Sequence, residues 1–259
     1  MTDTTWTLVT GASEGIGKEL ARCAAKSRRN VIVAARSKEK LDALADELTQ
    51  QYGVQAVAIE ADLAARDGAA KLWEAATAGR TVDILVNNAG LGRNGPFADG
   101  EWPRELTSID VNVTALTELM KLAIPGMVER GDGRILNVAS VAAFTPGPGM
   151  AVYHATKSYV LSLSHAVDAE LDKTGVSITA LCPGATESNF FNDADMGDAT
   201  IVKMRKLPSA KSVAEAGWSG AITRKTVVVP GADNKITVAF SKLVPARVSA
   251  AIAQRLLSR

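Results

Sequence analysis

Short apolar runs rich in β-branched residues alternate with longer stretches of helical periodicity along most of this chain. Runs such as residues 7–10 and 31–35 are each followed by a stretch in which apolar residues recur every three or four positions. Strands that alternate with helices of about ten or more residues predict βαβ units and therefore a parallel sheet. Because such crossovers are right-handed, we expect an α/β fold, a doubly wound sheet with helices on both faces.

This alternation predicts the elements as far as about residue 183. We expect strands at 7–10, 31–35, 54–60, 82–87, 134–139, 176–181 and 226–229, and helices at 16–26, 38–52, 64–76, 106–130 and 151–173. The segment 185–225 breaks the alternation, and a long segment beside the carboxyl ends of strands is typical of a functional lid. We therefore predict one domain over residues 1–259, with a substrate lid at about 185–225 and a helical tail at about 234–259.

Composition narrows the class of protein. The 259 residues include 29 Lys+Arg and 28 Asp+Glu, and 47% are hydrophobic, which is ordinary for a globular chain and not for a disordered one. The sequence has no run of about 18 apolar residues, so we expect no membrane-spanning helix, and no signal peptide is recognisable. Two Cys and two His are too few for a disulfide framework or a typical metal site. We therefore expect a cytoplasmic protein that holds no metal ion and does not bind nucleic acid.

A glycine-rich turn joins the first predicted strand to the first predicted helix. Residues 10–17 read TGASEGIG, with glycines at positions 11, 15 and 17, which differs from the GxGxxG fingerprint. Glycines let the backbone approach a pyrophosphate, and the start of the helix offers free N–H groups and the positive end of its dipole. The turn predicts a dinucleotide site, and a tight turn without a ligand is the alternative.

The end of the second strand indicates which dinucleotide binds. NAD-binding turns usually place an acid here to hold the ribose 2′-hydroxyl, whereas residues 34–38 read AARSK. Arg36 suits a 2′-phosphate, with Ser37 and Lys38 as helpers. This predicts NADP(H), and a solvated Arg36 that merely opens the next helix is the alternative.

Polar residues with catalytic spacing follow the later strands. Residues 87–90 read NNAG at the sheet edge where ligands bind, and Asn112 interrupts a helical apolar pattern. Ser140 ends the fifth strand, while Tyr153 and Lys157 are four residues apart and so share one face of a helix. An ammonium near a phenol lowers the phenol pKa, which makes Tyr153 a candidate general acid. Ser140 can hydrogen-bond the same substrate oxygen.

The order and spacing of these motifs resemble the short-chain dehydrogenase/reductase family, and more loosely its 17β-hydroxysteroid dehydrogenase and 3-ketoacyl-CoA reductase branch. The similarity runs from about residue 7 to residue 184. It includes TGxxxGIG, NNAG, a helical Asn, a Ser before YxxxK, and a PG pair after the sixth strand. The resemblance implies a Rossmann-like oxidoreductase that transfers a hydride between NADP(H) and a carbonyl or secondary alcohol.

The resemblance also implies a role for each site residue. Tyr153 would exchange a proton with the substrate oxygen, and Ser140 would hold that oxygen. Lys157 would bind the nicotinamide ribose and lower the Tyr153 pKa, and Asn112 would hold a water that links Lys157 to solvent. The cofactor would contact Gly11, Ser13, Gly15, Ile16, Gly17, Arg36, Asp62, Leu63, Asn88, Ala89, Gly90, Tyr153, Lys157, Pro183, Gly184, Thr186 and Ser188.

Two features of the cofactor site leave alternatives open. Thr186 and Ser188 compete for the nicotinamide carboxamide. Many NADP-preferring members carry a basic residue just before the second glycine, where this chain has Glu14. The predicted preference for NADP therefore rests mainly on Arg36.

The remaining expectations concern the substrate, the tail and the oligomer. Apolar residues after Ser140, together with Phe190, Phe191, Met196 and Met204, predict an apolar pocket and a lipophilic substrate. Residues 201–259 hold eleven Lys/Arg and two acids, and their last apolar residues recur at helical spacing. Such a helix suits either an anionic membrane surface or packing on its own domain. From the resemblance, helices 106–130 and 151–173 would form the interface of a homodimer or homotetramer.

Two other functions are compatible with this fold. One is a regulatory NADP-binding protein without turnover, and the other is an epimerase or dehydratase of the extended relatives. The presence of Tyr153 and Ser140 argues against a pure binder, and the order of the four catalytic residues favours simple oxidoreduction.

Overall fold

A seven-stranded parallel sheet lies at the centre of the computed structural model, which describes residues 5–187, 207–241 and 243–257. Its strands are β1 (Thr5–Thr10), β2 (Asn30–Ala35), β3 (Ala56–Glu60), β4 (Thr81–Asn87), β5 (Gly133–Val138), β6 (Val176–Leu181) and β7 (Val227–Val228). They lie in the order 3-2-1-4-5-6-7, and every neighbouring pair is parallel. The predicted doubly wound parallel sheet is confirmed.

Helices cover both faces of this sheet. They are α1 (Gly15–Lys26), α2 (Lys38–Tyr52), α3 (Gly68–Thr77), α4 (Trp102–Ile109), α5 (Leu116–Arg130), α6 (Ala151–Glu170), α7 (Ala210–Ile222), α8 (Ala232–Ser241) and α9 (Ala246–Leu257). One core lies between the sheet and α1, α2 and α7, and the other lies between the sheet and α3, α5 and α6. Alternate strand residues enter alternate cores, so the central strands are apolar almost throughout.

The strand order reverses between β1 and β4, and this reversal places the site. β1 pairs with β2 on one side and with β4 on the other, and the chain leaves the two strands toward opposite faces of the sheet. A crevice therefore opens at their carboxyl ends, where α/β proteins bind ligands. The glycine-rich turn after β1 and the NNAG segment after β4 meet in this crevice.

Helix α7 falls inside the segment predicted to be a lid. Its buried face packs against α1, and the indole nitrogen of Trp218 donates to the Ser27 hydroxyl at 3.0 Å. Gly217 lets α7 approach Leu181 of β6 closely, because a Cβ at position 217 would lie 2.5 Å from a methyl carbon of Leu181. The predicted lid over 185–225 is therefore wrong for residues 210–222, which form a layer helix leading to β7. Residues 188–206, with Phe190, Phe191, Met196 and Met204, lie outside the described residues.

Residues 102–130 form a longer helical stretch than the one predicted at 106–130. A π turn at Asp110–Ala115 separates α4 from α5. The stretch has the length and hydropathy of a membrane span, but 44% of its apolar window is buried inside the protein, and a core helix passes the same test. Leu116, Leu119 and Val160, on α5 and α6, are buried in the core of this chain and are therefore not available to a subunit interface.

The predicted helical tail is two helices. Residues 243–245 separate α8 from α9, and Pro245 immediately precedes α9, a position where its missing N–H costs no helical hydrogen bond. Both helices lie at the mouth of the crevice, since Val238 of α8 and Ala253 of α9 line the same cavity as Tyr153. The tail thus contributes to the wall of the site.

Candidate active site

Three of the four predicted catalytic residues line one cavity of about 800 Å³ at the carboxyl edge of the sheet. Ser140 follows β5, and Tyr153 and Lys157 lie one turn apart in α6. The Ser140 side chain is held by the backbone of two other residues, since its hydroxyl accepts from the Ala142 N–H at 3.1 Å and donates to the Pro183 carbonyl at 3.4 Å. The fourth residue, Asn112, is buried beside the cavity and does not line it.

The surroundings of Tyr153 keep its hydroxyl protonated. Burial raises the Tyr153 pKa to about 12, and a hydrogen bond with the Ser140 side chain acts in the opposite direction. The same bond places the two hydroxyls where they can share one substrate oxygen. A phenol with a pKa this high holds its proton at neutral pH, as a proton donor requires.

Lys157 lies beside the Tyr153 ring and is held by the backbone at the end of β5. Its ammonium donates to the Val138 carbonyl at 2.8 Å and lies 5.8 Å from the centre of the Tyr153 ring. Burial lowers the Lys157 pKa to about 8, and nearby Cys182 acts in the opposite direction. Burial of the phenol therefore dominates the Tyr153 pKa in this structure, and its lowering by Lys157 stays a prediction.

Asn112 uses its side chain to fix the loop after β4. Its amide donates to the Leu91 carbonyl at 2.8 Å and to the Thr156 hydroxyl at 3.0 Å, and its oxygen accepts from the Leu91 N–H at 2.8 Å. Asn112 lies within the π turn, where regular helical hydrogen bonds are replaced by longer ones. A π turn inside a helix is frequent at functional sites, and here it brings the Asn112 amide to the Leu91 backbone.

The backbone around the glycine-rich turn forms a close-fitting cradle. Gly11 and Gly15 adopt left-handed φ values of 62° and 58°, which favour glycine. A Cβ on Gly11 would also lie 2.8 Å from the Ala89 Cα, and one on Gly17 would lie 2.2 Å from the Gly11 carbonyl oxygen. Gly17 supports the cradle and does not line the cavity. The cradle and the start of α1 therefore fit a pyrophosphate.

Thr10 and Asn88 tie the two halves of the cradle together. The Thr10 hydroxyl accepts from the N–H groups of Asn88 and Ala89 at 3.0 and 3.1 Å. The Asn88 amide returns hydrogen bonds to the carbonyls of Thr10 and Gly11, both at 3.0 Å. The role of Thr10 was not predicted, although its place directly before Gly11 at the end of β1 was a signal for it.

Arg36 and Lys40 line the end of the cavity where a 2′-phosphate would lie. Within the described residues, Arg36 has no hydrogen-bond or ion-pair partner, and Ser37 lies next to it in the cavity wall. Lys40 pairs with Glu14 at 3.3 Å, and both line the cavity. The predicted helper Lys38 instead pairs with Asp42 and lies outside the cavity lining. Sequence analysis missed Lys40, which lies two positions beyond Lys38 in the first turn of α2.

The segment after β6 closes the other end of the cradle. The Pro183 carbonyl accepts from the Val141 N–H at 2.9 Å, and the buried Thr186 hydroxyl donates to the Gly184 carbonyl at 2.9 Å. Asn234 of α8 packs against Gly184, so that a Cβ there would lie 2.4 Å from the Asn234 amide oxygen. Ser188 lies outside the described residues, so its competition with Thr186 for the carboxamide stays a prediction.

Most of the predicted cofactor residues line this one cavity. Those that line the cavity are Gly11, Ser13, Gly15, Ile16, Arg36, Asp62, Leu63, Asn88, Ala89, Gly90, Tyr153, Lys157, Pro183, Gly184 and Thr186. Gly90 also faces Lys157, since a Cβ there would lie 3.2 Å from its ammonium nitrogen. The set is continuous from Arg36 to Thr186 and fits an extended dinucleotide.

Beyond Tyr153 the cavity wall is mostly apolar. Its apolar residues include Leu91, Val111, Ala142, Phe144, Met150, Val238 and Ala253, and a smaller number of hydroxyl residues, Thr107, Thr145, Thr237 and Ser241, also line the cavity. His154 also lies there, but its Nδ1 is 2.7 Å from the Thr145 carbonyl oxygen, and burial lowers its pKa. The described residues hold no group of three His, Cys, Asp or Glu side chains suited to a metal ion.

Comparisons with known proteins agree with this geometry. The ketoacyl reductase HetN of Nostoc sp. is 35% identical over 241 residues, which cover 92% of this chain and 82% of that protein. The very-long-chain 3-oxoacyl-CoA reductase of Anas platyrhynchos is 36% identical over 182 residues, 69% of this chain but only 58% of that protein.

A solved structure extends the similarity over nearly the whole chain. The short-chain dehydrogenase from Sphingobium yanoikuyae in complex with NADPH has a TM-score of 0.84 and 31% identity, and 98% of each chain is covered. The short chain dehydrogenase family model matches residues 5–198. With the cradle, the Ser140–Tyr153 pair and Lys157 in one cavity, these matches show that the chain is an oxidoreductase that belongs to the short-chain dehydrogenase/reductase family.

Proposed function

We propose that this protein uses NADP(H) to reduce the ketone of a lipophilic substrate or to oxidise the corresponding secondary alcohol. The observation that carries the proposal is that Ser140 and Tyr153 line the same cavity as the glycine cradle and Arg36. A dinucleotide in that cradle would lie with its nicotinamide end toward Tyr153 and its adenosine ribose toward Arg36.

The chain's own residues would supply the acid and orient the substrate. NADPH supplies the hydride that reduces the carbonyl carbon. The Tyr153 hydroxyl donates its proton to the carbonyl oxygen as that oxygen gains negative charge, and the Ser140 hydroxyl donates a hydrogen bond to the same oxygen. In the oxidation direction, Tyr153 would first have to lose its own proton, and its phenolate would then take the proton from the alcohol.

Lys157 and Asn112 support this step from one side of the cavity. Lys157 is held by the Val138 carbonyl and faces Gly90, a position from which its ammonium can bind the ribose hydroxyls of the cofactor. The Asn112 side chain is engaged by Leu91 and Thr156. We therefore propose that the backbone of the π turn around Asn112 binds the predicted water. The Asn112 side chain instead positions the loop that contains Leu91.

The substrate class is argued from the wall of the cavity. Apolar residues predominate beyond Tyr153, and few polar groups there are available to bind a sugar or a 2-oxo acid. Two relatives bear the names of a 3-oxoacyl-CoA reductase and a ketoacyl reductase. We therefore propose 3-oxoacyl thioesters and other lipophilic ketones as substrates.

A carbonyl panel with purified protein tests this proposal. NADPH oxidation is followed with a 3-oxoacyl thioester, an aryl ketone, a sugar and a 2-oxo acid, and the Tyr153→Phe variant serves as the control. The expected result is a higher kcat/KM for the first two compounds and loss of turnover in the variant. NADPH binding without turnover on any compound would instead indicate the regulatory protein, and equal or higher kcat/KM on the polar compounds would exclude the lipophilic assignment.

We also propose a homodimer or homotetramer in the cytoplasm, formed through α5 and α6. Leu122 and Tyr159 on these helices are exposed, and the Thr117 and Tyr159 hydroxyls are 3.0 Å apart across them. Sedimentation velocity at micromolar concentration tests the assembly, and a monomer would contradict it.

A further inference from the structure

Helices α8 and α9 place their bulky apolar residues outward. On α8 the inward residues are Asn234, Val238 and Ser241, whereas Ile236 and Phe240 are 70% and 53% exposed. Leu243, just after α8, is 82% exposed. A helix on the surface of a globular domain normally has the reverse arrangement, with its apolar stripe toward the core.

The second helix repeats this arrangement. Its inward positions are the small residues Ser249 and Ala253, and Val248 and Ile252 are 47% and 44% exposed at a spacing that places them on one face. The outward residues of both helices, which we call the docking face, are Ile236, Phe240, Leu243, Val248 and Ile252. Apolar side chains this exposed, within one short segment, mark a surface that contacts another apolar phase.

The charge around the docking face selects its partner. The described residues of α8 and α9 include three cations, Lys235, Arg247 and Arg255, and one acid, Asp233. A symmetric contact between two copies brings identical patches together, so these cations would repel each other across it. An anionic lipid surface instead attracts the cations while its acyl region accepts the apolar side chains.

We propose that the docking face binds the surface of an anionic lipid membrane. The same two helices line the catalytic cavity through Val238, Ser241 and Ala253, so the bound membrane would lie directly outside the substrate site. Entry of a substrate from the bilayer rests on the proposed lipophilic substrate. Docking of the protein on the membrane does not depend on that proposal, because it is measured as vesicle binding without any turnover.

Co-sedimentation of the full chain with vesicles tests the proposal. Vesicles of phosphatidylcholine with about one third phosphatidylglycerol are compared with phosphatidylcholine alone, at low and high salt. We expect binding to the anionic vesicles that weakens with salt. Phe240→Ser combined with Leu243→Ser should weaken it by ~10-fold or more, and Arg247→Gln by about fivefold. Ile222→Ser on α7, which changes an exposed apolar residue elsewhere, is the matched control and should bind normally.

Thermal melting and NADPH binding of each variant show whether it is folded, and Arg247→Gln provides an independent test if the double variant is not. Equal sedimentation with and without anionic lipid would overturn the proposal, as would an equal loss in Ile222→Ser. Sedimentation velocity without lipid tests whether a second copy of this chain, and not a membrane, covers the docking face. If the Phe240→Ser/Leu243→Ser variant breaks an oligomer of the wild type, the face is a subunit interface and membrane docking is wrong.

Discussion

Replacing Lys40 with alanine should reduce the preference for NADPH over NADH. Lys40 lines the cavity near Arg36 and neutralises Glu14, the acid that occupies the position where many NADP-preferring relatives carry a base. Removing the ammonium deletes a cation near the expected 2′-phosphate and takes one counter-charge away from the Glu14 carboxylate. Both changes lower kcat/KM with NADPH. The value with NADH stays nearly the same, because NADH has no 2′-phosphate.

The size of this effect follows from the exposure of Lys40. A buried charge-assisted hydrogen bond contributes roughly 1.5–3 kcal/mol, but 58% of the Lys40 side chain is exposed, and exposed ion pairs contribute about 0.2–1 kcal/mol. Adding a repulsion of similar size from Glu14 gives a loss of about 2–30-fold in the ratio of kcat/KM values. Arg36, which lines the same end of the cavity, should contribute about 10–100-fold.

Steady-state kcat/KM with NADPH and with NADH, measured on one ketone, provides the assay. Lys38→Ala is the matched control, because it removes the same charge from the same helix at a residue that pairs with Asp42 outside the cavity. Arg36→Asp should abolish or reverse the preference, and Glu14→Gln should increase it. If Lys40→Ala and Lys38→Ala change the ratio equally, the effect is one of overall charge, and the reasoning is refuted.

Three further predictions concern catalysis and stability. Tyr153→Phe should lower kcat by at least ~10²-fold with NADPH affinity nearly unchanged, as measured by turnover and fluorescence titration, and near-normal turnover would contradict its role as the acid. The rate of ketone reduction should fall as pH rises through about 8, where the buried Lys157 loses its charge, while Tyr153, with a pKa of about 12, stays protonated; a pH–rate profile that rises over this range would disagree. Leu119→Ala should lower the free energy of unfolding by about 2–5 kcal/mol in denaturant titration, because Leu119 is fully buried, and a change under about 1 kcal/mol would place it outside the core.

Local patterns were enough to predict the sheet and most of the site. The alternation of β-branched runs with helical periodicity depends on neighbouring residues alone, and it predicted strands and helices whose ends mostly differ from the observed ones by a few residues. Tyr153 and Lys157 share a helical face because of their spacing, and both line the cavity. Glycine at positions 11 and 15 was predictable because other residues rarely adopt positive φ.

Other features depend on residues that are distant in sequence. The pair between Lys40 and Glu14 joins flexible side chains 26 residues apart, and no local periodicity encodes it. The helical pattern of segment 210–222 has no strand directly before it, so local periodicity favours a lid there, whereas its role as a layer helix depends on contacts with α1 and with Leu181.

The chemistry of the site likewise depends partly on local sequence and partly on contacts between distant residues. The residue types and their order along the chain predicted the family and the fold and pointed to Tyr153 as the candidate acid, because these depend on covalent spacing and on the reactivity of single groups. The direction of the Tyr153 pKa, the engagement of the Asn112 amide and the outward apolar faces of α8 and α9 depended on packing. Burial and the positions of neighbouring charges are set by contacts between elements, and spacing along the chain carries no information about them.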